Sequence, residues 1–133
     1  MPRTPRSIDV PGASHNAPIP AAARVGNLLC TSAVSGKDPA TGQLPPDAPA
    51  QVSHTFTNLQ AVLQAGGASL DDVVKFSVAI KDNSVREHLN AAWLACFPDP
   101  HDRPARHTMV ADLPGGMLVQ IEIVAVVKDG QHG

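Results

Sequence analysis

The stretch Met117–Lys128, MLVQIEIVAVVK, decides the fold class of this chain. Its alternation in a period of two predicts one long strand, because successive side chains of a strand point to opposite faces. One face is wholly apolar and consists of Val119, Ile121, Ile123, Ala125 and Val127. The other face sets Gln120 and Glu122 among Leu118, Val124 and Val126. The first face therefore belongs under covering helices, and the second needs a partner, since its apolar residues would otherwise form an exposed patch.

Two amphipathic helices are predicted upstream of this strand. The first, Ala48–Ala65, carries apolar residues at helical spacing and ends at Gly66-Gly67. The second runs from Val85 to Phe97 and is closed by Pro98. Their apolar positions are Val52, Phe56, Leu59 and Leu63 in the first helix, and Val85, Leu89, Ala92, Trp93 and Cys96 in the second.

The remaining strands complete a single domain over residues 1–133. Arg24–Ser32 predicts two strands that meet at a Gly26-Asn27 turn. Val74–Ile80 alternates like a strand with one apolar face, and a short strand is expected over His107–Val110. This order predicts an α/β (α+β) domain, with one mixed sheet of about six strands and two helices packed on one face.

Composition narrows the class of function. Hydrophobic residues make up 43% of the chain and charged residues 17%, which is typical of a packed globular domain. A net charge of −2 and 3% aromatic residues give no basis for a nucleic-acid partner. No apolar run reaches the ~20 residues of a membrane span, and Met1–Pro18 has no apolar signal region, so a cytoplasmic protein is expected.

Cys30 and Cys96 lack metal-ligand spacing and are predicted to be buried free thiols, with a disulfide or a reactive thiol as the alternative.

Several motifs follow one another along nearly the whole chain. They are VGNLLCTS at 25–32, DPATG at 38–42, NLQAVLQAGGASLDDVVK at 58–75, IKD at 80–82, PAR at 104–106, LP at 113–114 and VQIEIVAV at 119–126. Together they resemble the RidA/YjgF family of enamine and imine deaminases, also called the endoribonuclease L-PSP family. The resemblance implies a chorismate-mutase-like fold and a homotrimer, formed through the second face of the sheet, with ligand clefts between subunits. It also implies hydrolysis of small carboxylate-bearing imines to a keto acid and ammonia, without metal or organic cofactor.

Arg106 is the residue that the resemblance assigns to the substrate carboxylate. A guanidinium suits this role, because it can form two parallel charge-assisted hydrogen bonds with a carboxylate. An ordinary salt bridge is the alternative role for Arg106. The other residues expected to line the substrate pocket are Ile19, Thr31, Ser32, Ala33, Asn90 and His107. Asn90 matches a family asparagine whose expected role is structural, at the edge of the cleft.

The sequence departs from the family pattern at positions expected to line the pocket and to position the attacking water. Ile19 occupies the position of a family tyrosine, and Val34 that of a glutamine. Gln120 stands where the family has a glutamate thought to position or activate the attacking water. An amide can orient a water but cannot take its proton. Glu122 shares that strand face about 7 Å further along and is the replacement candidate, or else a structural partner near the trimer core. Arg106, Gln120 and Glu122 are thus the predicted catalytic residues.

His107 is a further candidate proton carrier beside Arg106. If both residues lie in one strand, their side chains face opposite ways, and only a loop or bulge would bring His107 into the same pocket. Three functions remain open at this point. They are a deaminase of carboxylate-bearing enamines and imines, a non-catalytic carboxylate-binding or regulatory trimer, and a member specialised for another enamine, such as an aminomuconate-like ring-cleavage product.

Overall fold

Two α-helices and one mixed sheet make up the part of the chain that the computed structural model describes, residues 4–11 and 17–128. The strands are β1 Ser7–Ile8, β2 Ala22–Val25, β3 Leu28–Thr31, β4 Val34–Ser35, β5 Val73–Ile80, β6 Ala105–Val110 and β7 Val119–Val126. The helices are α1 Ala48–Ala65 and α2 Arg86–Cys96. Neither helix is long and apolar enough to cross a membrane.

The long strand β7 lies inside the sheet, whose order is β1-β2-β3-β7-β5-β6. The strands β3 and β4 both pair with β7, β3 through Leu28–Cys30 and β4 through residues 34–35. All pairs are antiparallel except β5 with β6. A parallel pair needs a crossover connection, which α2 supplies here. The strand β6, which carries Arg106, lies at the edge of the described sheet and follows α2 in the chain.

Local signals in the sequence set the ends of both helices. The Asp47 carboxylate accepts a hydrogen bond from the Ala50 N–H at 3.1 Å and caps the start of α1, whose C-cap residue is Gly66. The predicted bounds of α1 are confirmed at both ends. A short 3₁₀ turn at Asn83–Val85 leads into α2, so this helix begins one residue later than predicted, at Arg86. It ends at Cys96, one residue earlier than predicted.

The core lies between the helices and one face of the sheet. The apolar face predicted for β7 is confirmed, since its five residues are all buried. Phe76 on β5 occupies the centre of the core. Its ring centroid is 6.1 Å from that of Phe56, 5.0 Å from that of Trp93 and 5.8 Å from that of Phe97. Aromatic pairs at such separations add to the stabilisation that burial alone provides.

The opposite face of the sheet carries an exposed apolar patch, which we call the open-face patch. Its members are Val25, Leu28, Val124 and Val126, which are 54%, 51%, 36% and 49% exposed. They adjoin in the sheet, because Leu28 pairs with both Val25 and Val126. The prediction that the uncovered face of β7 carries apolar residues is therefore confirmed for Val124 and Val126, whereas Leu118 precedes β7 and packs against the core.

Three sequence predictions need correction. Cys30 was predicted to be buried, but it is exposed on β3, because Leu29 takes the inward position of that strand. Cys96 is only half-buried, and burial raises the pKa of its thiol. The strand β6 begins at Ala105 instead of His107, so that Arg106 lies within the strand. The predicted mixed sheet of about six strands is confirmed and has seven.

A buried glutamine fixes the approach to β7. The side-chain amide of Gln51 donates to the Pro45 carbonyl at 2.8 Å and to the Gly116 carbonyl at 3.0 Å. Its oxygen accepts from the Leu118 N–H at 2.8 Å. Buried polar groups are costly unless they are paired, and here every partner is provided by backbone. The start of α1 thereby sets where β7 begins, and with it the position of Gln120.

Candidate functional site

Arg106 lies on the helix-facing side of the edge strand β6. Its register partner is Phe76, whose side chain is buried beneath the helices. The Nη2 of Arg106 donates to Asn90 Oδ1 at 2.7 Å, and its guanidinium lies 5.0 Å from the Trp93 ring centroid. A cation over an aromatic face is attracted by the ring electrons. Asn90 and Trp93 thus hold the guanidinium from one side, which is a more direct role than the structural one expected for Asn90.

The salt-bridge alternative for Arg106 finds no support in the described ranges. No carboxylate of residues 4–11 or 17–128 lies within ion-pair distance of its guanidinium. Its Nη1 is buried and has no hydrogen-bond partner there. Burial, and to a lesser extent the positive charge of Arg86, lowers the pKa of Arg106. An unpaired buried donor of this kind is costly until an acceptor reaches it, which a carboxylate ligand would do.

Thr108 is a second group that sequence reasoning missed. It is two residues along β6 from Arg106 and therefore faces the same side of the sheet. Its Oγ1 is also buried without a hydrogen-bond partner among the described residues. The strand alternation from Arg106 could have indicated it. Two unsatisfied polar atoms on the same side of one strand mark this edge as a place where a ligand is expected.

The other predicted catalytic residues line the opposite face of the sheet. A cavity of about 170 Å³ there is bounded by Ser77, Val78, Ala79, His107, Met109, Gln120 and Glu122. Ser77 pairs with His107 on one side and with Glu122 on the other, so these three side chains form a row across β6, β5 and β7. The amide of Gln120 donates to Met117 Sδ at 3.2 Å. The predictions that Gln120 and Glu122 share a face, and that His107 faces away from Arg106, are confirmed.

A third group of predicted residues lies around the end of β3. The Thr31 hydroxyl accepts from the Ile123 N–H at 3.0 Å, where pairing with β7 passes from β3 to β4. Ser32 Oγ donates to the Pro20 carbonyl at 2.8 Å, Ala33 follows it, and Ile19 is exposed. β7 and β5 separate β3 from β6, which is three strand spacings or roughly 14 Å.

One chain therefore does not bring the predicted pocket together. Arg106 and Asn90 lie on the helix side of the sheet, at its edge. Gln120, Glu122 and His107 lie on the opposite, open face. The group near Ile19 lies beyond the middle of the sheet. Within the described ranges, no group of three or more His, Cys, Asp or Glu side chains is placed to hold a metal ion.

Known proteins share both the sequence pattern and this fold. The sequence profile of the family described as endoribonuclease L-PSP matches residues 14–127. A 2-iminobutanoate/2-iminopropanoate deaminase of Escherichia coli is 35% identical over 104 residues, which cover 77% of this chain and 81% of the relative. A RutC family protein of Aquifex aeolicus is 35% identical over 116 residues, covering 83% and 93%.

Solved structures agree with the sequence comparisons. RidA from an Antarctic Psychrobacter species superposes with a TM-score of 0.84 at 35% identity, over 92% of this chain and 99% of that one. Escherichia coli TdcF, whose crystal structure contains bound serine, gives a TM-score of 0.84 at 25% identity over the same shares. Because the profile spans most of the chain and the fold matches throughout, this protein belongs to the endoribonuclease L-PSP (RidA/YjgF) family.

Proposed function

We propose that this protein hydrolyses reactive enamines and imines that bear a carboxylate, releasing ammonia and a keto acid. The observation that carries the proposal is the buried Nη1 of Arg106, which has no partner among the described residues. A carboxylate is the acceptor that a guanidinium fork fits best. The names of the curated relatives, which include an imine deaminase, support the reaction class.

The proposed reaction consumes only water. The carboxylate binds Arg106, whose position is fixed by Asn90 and Trp93. An enamine first takes up a proton at carbon and releases one from nitrogen, which converts it to the imine. Water then adds to the imine carbon, and one of its protons passes to nitrogen to give a carbinolamine. The C–N bond breaks when the hydroxyl proton of this intermediate also passes to nitrogen, so that ammonia leaves and a carbonyl forms. In this scheme Gln120 orients the water and Glu122 accepts its proton, so that catalysis rests on positioning and on preorganised charge.

This scheme requires more than one chain, because the proposed anchor and the proposed water site face opposite sides of the sheet. We propose a homotrimer that buries the open-face patch and brings the separate groups together in clefts between subunits. Light scattering on purified protein should then give the mass of three chains. Leu28→Glu places a charge in the open-face patch and should lower that mass, since a buried unpaired charge is strongly unfavourable.

The matched control for Leu28→Glu is Leu94→Glu. Leu94 is 52% exposed, close to the 51% of Leu28, but it lies on α2 away from the open-face patch. Its substitution should leave the mass unchanged. A wild-type protein that runs as a single chain at all concentrations would rule out the trimer.

The activity itself is tested with 2-iminobutanoate made in place by a dehydratase acting on threonine. Semicarbazide traps free imine as a semicarbazone, so added protein should lower the semicarbazone yield and raise the yield of 2-oxobutanoate in proportion to its concentration. The control is the same protein after heat denaturation. Equal yields with native and denatured protein count against this substrate.

A non-catalytic carboxylate-binding protein is the second candidate. It is favoured by Gln120, an amide that cannot act as a base, and by Ile19, which offers no polar group. On this alternative, a keto acid raises the melting temperature of the protein, while no imine is hydrolysed faster than in buffer.

A further inference from the structure

A second guanidinium belongs to the helix face that holds Arg106. Arg86, Asn90 and Trp93 are spaced four and then three residues apart on α2, so their side chains share one side of the helix. Asn90 and Trp93 on that side both contact Arg106. The charge of Arg86 acts on Arg106 and contributes to its lowered pKa, after burial. Arg86 itself is half-buried.

The two positive charges have no acidic partner in residues 4–11 and 17–128. The carboxylates of these ranges that lie within ion-pair distance of a basic group are Asp112, beside Lys81, and Glu87, beside His88. Arg86 Nη2 donates to a neutral group, Asn83 Oδ1, at 3.3 Å. Like charges that repel each other lower stability unless an anion compensates them. Such a pair is expected where a ligand supplies more than one negative charge.

We propose that the substrate of this protein carries a second carboxylate, and that Arg86 binds it while Arg106 binds the first. This inference rests on the proposed function, because it takes Arg106 as the anchor of the carboxylate beside the imine. The backbone positions of Arg86 and Asn90 lie about one helical turn apart, roughly 6 Å along the axis, and a five-carbon diacid has a comparable length. Asn90 fixes Arg106 through Nη2, and the buried Nη1 has no hydrogen-bond partner among the described residues. The substrate class is then an imine or enamine of a dicarboxylic acid.

The test compares two keto acids of the same shape by calorimetry on the full chain. One is 2-oxoglutarate, and the other is its analogue in which an isopropyl group replaces the distal carboxylate. Wild-type protein should bind the diacid at least about tenfold more tightly, as expected for one charge-assisted pair. Arg86→Gln should lower the diacid affinity about tenfold more than the monoacid affinity, and Arg86→Lys should retain part of the preference.

The control for overall charge is Arg6→Gln. Arg6 is exposed and directly precedes β1, at the far end of the sheet from β6. This variant removes the same charge as Arg86→Gln and should keep the full diacid preference. Equal wild-type affinity for the two acids, or a preference that survives in Arg86→Gln, overturns the inference and leaves the carboxylate role of Arg106 standing. If neither acid binds, both this inference and the carboxylate-anchor basis of the proposed function fail.

Discussion

Arg106→Ala should lose all imine hydrolysis above the rate in buffer and bind keto acids at least about a hundredfold more weakly. Two charge-assisted hydrogen bonds are lost at once, and each contributes about 1.5–3 kcal/mol. Arg106→Lys keeps the charge but cannot form the planar fork, so it should recover only part of the affinity. The measurements are the semicarbazone competition and calorimetry with 2-oxobutanoate.

Arg103→Ala provides the control for this prediction. Arg103 precedes the same strand, but its Nε donates to the Phe97 carbonyl at 2.9 Å and serves the loop after α2. Its removal should leave the activity of folded protein close to that of the wild type. If Arg106→Ala is folded and still accelerates hydrolysis as the wild type does, Arg106 is not the anchor of the reacting carboxylate.

Phe76→Ala should produce the largest loss of stability among single substitutions in the core. The side chain is fully buried and contacts three other aromatic rings, so its truncation leaves a cavity between helices and sheet. Such truncations lower the free energy of unfolding by about 3–5 kcal/mol, against a total of about 5–15 kcal/mol for a typical domain. Urea denaturation at one fixed protein concentration measures the loss.

Two further variants serve as comparisons for Phe76→Ala. Phe76→Leu keeps much of the volume and should be considerably less destabilising than Phe76→Ala. Leu94→Ala removes an exposed side chain of α2 and should change the free energy of unfolding by less than about 0.5 kcal/mol. A loss below about 1 kcal/mol for Phe76→Ala would mean that this ring is not central to the core.

Much of the fold was predictable because its longest elements repeat regularly. The period of two in β7 and the helical spacing in α1 extend over enough residues to fix the type and the buried face of each element. The bounds were predicted correctly for α1, whereas β7 is two residues shorter at each end than the predicted strand Met117–Lys128. The strands β1 and β4 have two residues each, which is too short for any periodicity to show. The first residues of β6 were missed for a related reason, since Pro104 directly before the strand reads as loop.

The candidate site was less predictable, because its partners are distant in the chain. Arg106 was predicted from a family resemblance and not from any local pattern. Its contacts with Asn90 and Trp93 depend on α2 crossing back over β6, which sequence spacing does not specify. Strand alternation placed His107 opposite Arg106 correctly. Gln120 and Glu122 also lie on the side of the sheet away from Arg106. Their position is set by the order and register of the strands, which the sequence does not specify.

The buried amide of Gln51 has a consequence for how the domain opens. It joins the first turn of α1 to the backbone at the start of β7, through hydrogen bonds that span more than sixty residues of sequence. A helix end normally frays with little cost, but fraying here would also break the hydrogen bonds that Gln51 makes just before β7. The beginning of the helix and the beginning of the strand thus form one cooperative unit. The segment that leads to Gln120 should therefore open together with the first turn of α1.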